Sequence, residues 1–137
     1  MKKLIILASL VALAGCSTIA NLKEAYLMKY DANEYQQISD IRTFAHYGKA
    51  GCDSFDDSKN SASTISKKTY SFKNYVEHLP YNTRVISSSI ELDKIAQGLN
   101  DHYQKNEKVS VIFCKLKFES IEKSAEMMQK NIGAKPK

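Results

Sequence analysis

Within twelve residues the chain places His46, Cys52, Asp53, Asp56 and Asp57, side chains of types that ligate divalent metals, with a thiol six residues from an imidazole able to take its proton. Zinc sites use tighter pairs such as Cys-x-x-Cys or His-x-x-x-His, and neither is present, so the acidic cluster reads as a solvated loop and no metal site is expected. Ala50-Gly51-Cys52-Asp53 matches no cysteine-hydrolase motif. Ser120 and Lys123 stand one helical turn apart, the spacing at which an amine activates a hydroxyl nucleophile. No Lys-Thr-Gly or Ser-Asp-Asn segment accompanies them, and a polar turn on a helix surface explains the pair. His46, His78 and His102 fall in three separate segments without a Ser or Asp in a triad-like pattern. Neither a catalytic residue nor a cofactor is expected, and the chain reads as a non-enzyme.

The scaffold available to position such residues is small. The chain has 137 residues, 43% of them apolar and 26% charged, with a formal charge of +5, which fits one modest globular domain. That balance excludes a multidomain enzyme, a long coiled coil and a wholly disordered chain.

Apolar spacing is mostly helical. A first pattern runs from about Ile19 to Tyr47, with Leu22, Tyr26, Tyr30, Tyr35, Ile38, Ile41, Phe44 and Ala45 inward, and Gly48 and Gly51 as its stop. A second, from about Ser61 to His78, places Ile65, Thr69, Phe72, Val76 and Leu79 at alternating spacings of four and three, ending at Pro80. Asn82 or Thr83 caps a third with Val85, Ser88, Leu92, Ile95, Leu99 and Tyr103 inward, before a polar break at Asn106 to Lys108. Val109 to Phe118 is rich in β-branched and aromatic residues and leaves a short strand open. A continuous helical face through Val109, Ile112, Phe113, Leu116, Ile121, Ala125, Met128 and Ile132, closed by Gly133, favours a fourth helix. The expectation is a mainly α fold, a bundle of about four antiparallel helices over residues 22–133, with a basic tail at 134–137.

The N-terminal segment has a different grammar. Lys2 and Lys3 precede an apolar run from Leu4 to Leu13, too short to span a bilayer, and Leu13-Ala14-Gly15-Cys16 follows. This resembles the signal peptide and lipobox of bacterial lipoprotein precursors. The resemblance implies that residues 1–15 are removed between Gly15 and Cys16, that the Cys16 thiol takes a diacylglycerol as a thioether, and that its amino group is acylated, satisfying the need for more than one chain in stable anchoring. Ser17, rather than Asp, at the second mature position implies the outer membrane. A mature chain of 122 residues and charge +3 remains. Residues 16–21 form the lipidated end and a short tether, in which Ser17 to Asn21 span at most about 17 Å.

With Cys16 spent on lipid, Cys52 and Cys114 remain as an even pair in an oxidising compartment, and a disulfide between them is expected. Tyr30, Tyr35, Tyr47, Tyr70, Tyr75 and Tyr81 exceed what one small core needs, so some aromatic rings are expected at the surface, where Tyr beside Lys suits a partner face. Lys67-Lys68, Lys115, Lys117 and the lysines from Lys130 to Lys137 are basic patches suited to anionic head groups or peptidoglycan carboxylates. Nucleic acid is not an expected partner. The functional expectation is a non-enzymatic, outer-membrane-anchored, periplasm-facing lipoprotein that binds or supports an envelope protein, with a phage- or plasmid-borne receptor-blocking protein as one variant. The alternative is a small lipid-anchored periplasmic enzyme or ligand-binding module.

Overall fold

The computed structural model describes residues 27–105 and 108–137. The cleavage and lipidation residues Gly15 and Cys16, the tether, and Leu22 and Tyr26 of the first pattern lie outside the described residues. Four helices make up the domain: α1 Ala32–Gly48, α2 Phe55–Glu77, α3 Thr83–Gln104 and α4 Val111–Gly133, with a 3-10 turn at Lys49–Asp53 after α1. They alternate in direction. α1 packs most extensively on α4 and α2 on α3, and the α1–α2 and α3–α4 contacts close the ring. The mainly α bundle of four helices is thus the fold, and residues 111–118 are helix rather than strand.

Each helix buries one narrow stripe. Ile38, Ile41 and Ala45 come from α1; Ala62, Ile65, Phe72 and Val76 from α2; Val85, Leu92, Ala96, Leu99 and Tyr103 from α3; and Cys114, Phe118, Ile121, Ala125, Met128 and Ile132 from α4. One Ala per stripe keeps the helices close. Gly48 acts in the same way: its φ of −58° is ordinary helix, but a Cβ there would stand 2.5 Å from Phe118 Cε1. Its role is close approach to an aromatic ring, not the left-handed stop expected from the sequence.

Several boundaries differ from the sequence reading for local physical reasons. α2 begins at Phe55, six residues earlier than expected, because Ser54 accepts a hydrogen bond from Asp57 N and Asp56 and Asp57 favour the positive end of the helix dipole. The acidic cluster is therefore a helix start. In α4, Cys114 and Phe118 set the buried phase, which turns Ile112 and Leu116 outward (73% and 57% exposed). In α3 Ser89 is buried where Ser88 was expected, its hydroxyl donating to Ile86 O at 2.7 Å.

The end where α1 and α3 begin carries a buried ionic cluster. Glu34 has no exposed surface, and its two carboxylate oxygens accept from Asn82 Nδ2 at 2.7 Å and from Lys135 Nζ. Lys135 Nζ also donates to Asn82 Oδ1 at 2.7 Å. Asn82, thus engaged, makes no side-chain cap on α3. Lys135, expected in a solvated basic tail, is instead a buried member of the fold.

The α2–α3 turn holds Tyr81 at φ 56°, the sole non-Gly residue with positive φ among those described. A left-handed backbone costs an L-residue about 1–2 kcal/mol. Gly avoids that cost but gives back up to about 1 kcal/mol in chain entropy, so Tyr81→Gly is expected to raise unfolding stability by about 0.5–1 kcal/mol in urea titration. A drop in stability would contradict the strain.

Candidate functional site

The residues singled out for chemistry do not converge. Cys52 and Cys114 form a disulfide with Cα atoms 5.8 Å apart, tying the 3-10 turn to α4. Its two ends are buried, so Cys52 is not a thiol for His46 to activate. Asp53, which ranked as a candidate ligand, pairs with Lys115 Nζ at 3.2 Å. Among the described residues no group of three His, Cys, Asp or Glu side chains could hold a metal ion. Ser120 donates its hydroxyl to Leu116 O at 2.8 Å, and Lys123 pairs with Glu119 at 2.6 Å, so the two do not address each other.

The three histidines stand on different parts of the bundle. His78, the residue after α2, meets Asn74 O through Nδ1 at 2.7 Å, and the His102 ring lies edge-on to Phe113 at 5.1 Å. His46 Nδ1 lies 2.9 Å from Glu122 Oε1, while Lys49 Nζ donates to Glu122 Oε2. These two neighbours, Lys49 foremost, hold the Glu122 carboxyl below the usual carboxylate range. A carboxyl depressed on folding contributes stability that is complete above its unfolded pKa and fades as pH falls through its folded pKa. Glu122→Gln is accordingly expected to cost about 1 kcal/mol at neutral pH, with the difference from the parent protein vanishing in acid denaturant titrations. A deficit that persisted below the carboxylate range would contradict this pairing.

Along the α1–α4 seam this cluster continues as a polar ladder. Arg42 Nη1 donates to Gln129 Oε1 at 2.9 Å and Gln129 Nε2 to Ser39 Oγ at 2.7 Å. Across the bundle, Thr69 Oγ1 donates to Asp93 Oδ1 at 2.9 Å, with Lys73 3.4 Å from the same carboxylate. Both sets join helix to helix through satisfied bonds. Neither presents a nucleophile beside a base.

The surface also presents large apolar side chains. Tyr47, Phe55, Tyr70, Tyr81, Val111, Ile112, Leu116 and Met127 are all exposed, as the surplus of aromatic residues suggested. On α4 the residues Ile112, Leu116, Ser120, Lys123 and Met127, at spacings of 4-4-3-4, lie on one outward face. Val111, Tyr47 and Phe55 stand at the same end of the bundle as Ile112. The expected basic patches are partly committed: Lys68 lies over Phe44 and Lys117 over Phe113 at 5.9 and 5.3 Å, and Lys115 holds Asp53. Lys67 and Lys68 border an open groove of about 370 Å³ between α1 and α2, whose Asp40 brings a carboxylate among them. Sequence reading put Ile112 and Leu116 in the core; nothing in periodicity alone separates an outward apolar stripe from an inward one.

The class defined by these features is a disulfide-stapled, up-and-down four-helix bundle whose last helix exposes Ile112, Leu116 and Met127 on one face, with Ser120 and Lys123 between them. Comparison with protein-family models, curated proteins and solved structures finds no match to any of them. Among the described residues no helix is long and apolar enough to cross a membrane.

Proposed function

We propose that the protein is a lipoprotein anchored through Cys16 in the outer membrane, facing the periplasm, and that its helical domain binds a protein of the envelope without catalysing a reaction. The observation that carries the binding half is the outward stripe of α4, where Ile112, Leu116 and Met127 stand 73%, 57% and 61% exposed. Exposed aliphatic side chains aligned on one helix face suit the apolar surface of a partner helix or groove. The address rests on Leu13-Ala14-Gly15-Cys16 and on a disulfide of the kind that persists in oxidising compartments. A receptor-blocking role, as in phage- or plasmid-borne envelope proteins, and contact with peptidoglycan fall within this reading.

A photo-crosslinking amino acid at position 116, in the full chain expressed in cells, tests it. A discrete adduct of one mass is expected, lost when Ile112→Glu and Met127→Glu accompany the probe and absent when the probe stands at Lys67. A smear of adducts equal at the two positions would contradict a specific binding face. The second reading, a small enzyme or ligand-binding module, would draw on the grooves between helices.

A further inference from the structure

The path of the chain distinguishes the two ends of the bundle. Leu27, the turn from Leu79 to Asn82 and the C-terminal segment share the end where α1 and α3 begin, and Tyr30 N donates to Pro136 O at 2.8 Å there. Residues 1–26 join the domain at this end. Ten residues separate Cys16 from Leu27, a path of no more than about 40 Å when fully extended, so a lipid on Cys16 is joined to the domain at this end and not at the opposite one.

Its chemistry matches that position. Leu27, Tyr30, Leu79, Pro80 and Tyr81 line an open groove of about 360 Å³. The charges around it are the exposed Lys29, Arg84 and Lys137 against Glu77 and the half-buried Asp31, whose Oδ1 accepts from Tyr75 and from Glu34 N, while the buried Lys135 is neutralised by Glu34. Tyr81 is the most telling residue. It sits in a left-handed backbone that favours Gly, yet it is 53% exposed, so within the domain its ring regains little of that cost. A Tyr ring has an apolar body and a polar tip, the combination enriched at the level of lipid head groups.

We propose that this end is a membrane seat: Tyr81 and Leu79 enter the interfacial layer of the phospholipid leaflet, and Lys29, Arg84 and Lys137 meet its anionic phosphates. The seat rests on the lipid anchor at Cys16. It adds that the domain docks base-down on its membrane, which turns the end bearing Tyr47, Phe55 and Ile112 away from the lipid.

The chain contains no Trp, so single substitutions report on single places. Full-length lipidated protein carrying Tyr81→Trp or Ile112→Trp is reconstituted in vesicles of phosphatidylethanolamine and phosphatidylglycerol, with and without brominated acyl chains. Brominated lipid is expected to remove roughly half or more of the Tyr81→Trp emission, as for a side chain within the head-group and acyl boundary, and to leave Ile112→Trp unchanged. Leu79→Trp gives the same reading should Tyr81→Trp fail to fold. Equal, unquenched emission at both ends in protein that carries fatty acid and floats with the vesicles would overturn the seat alone. Protein without fatty acid that fails to float would remove the anchor, and the seat with it.

Discussion

Replacing Cys52 and Cys114 together by alanine is expected to lower the unfolding free energy by about 4 kcal/mol, since the bond joins residues 62 apart in sequence and restricts the unfolded chain accordingly. Small domains are stable by about 5–15 kcal/mol in all, so the loss is a large share of the total. The bond fastens the 3-10 turn to α4 beside Phe118, whose ring fills the space a side chain on Gly48 would need. Urea titration of oxidised protein, reduced protein and the double variant measures the effect. Reduced protein and the double variant should unfold together, well below the oxidised form; midpoints within error of the oxidised protein would show that the staple carries no such load.

Lys135→Met is expected to cost about 3–5 kcal/mol, because it leaves the carboxylate of Glu34 buried with Asn82 as its remaining side-chain partner. Removal of one member of a buried pair exposes the full desolvation cost of the other. Replacing both charges is a different perturbation: Glu34→Leu with Lys135→Met removes the charge as well as its partner, and most of the lost stability should return. Thermal or urea unfolding of the two single variants and the double variant closes the cycle. If the double variant is as unstable as Lys135→Met, the cost comes from packing and not from an unpaired charge. The cluster also closes the fold at its termini, since Glu34 opens α1, Asn82 opens α3 and Lys135 follows α4.

Much of this architecture was legible in local spacing. Ile65, Thr69, Phe72 and Val76 alternate by four and three residues, and all four are buried in α2. The N-terminal side of α4 was harder, because Val109 to Phe118 carries apolar residues on more than one face and periodicity has no unique phase there. The disulfide settles it: once Cys114 must reach Cys52, Phe118 and Ile121 follow inward, and Ile112 and Leu116 turn out. The start of α2 was hidden by its polar composition, since a cap at Ser54 and acidic residues in the first turn also read as a loop.

Other features have no local signature at all. Glu34 and Lys135 are 101 residues apart, and each looks like a surface charge until the ends of α1 and α4 are brought together. Pro80 marks a turn, but the left-handed position falls on Tyr81, where Gly or Asn would be the usual choice. The exposed stripe on α4 and the strained Tyr81 are places where side chains depart from what the fold by itself favours. Function is expected to leave such departures; Tyr81 lies at one end of the bundle, and the stripe runs from Ile112 at the other end along most of α4.

The central claim is that this domain is carried on a lipid at Cys16, and metabolic labelling with radioactive palmitate tests it most directly. The full chain expressed in a Gram-negative cell should incorporate label into a band of the mature size, and Cys16→Ala should incorporate none while remaining at precursor size. Label retained by Cys16→Ala, or absent from the parent protein, would contradict the account.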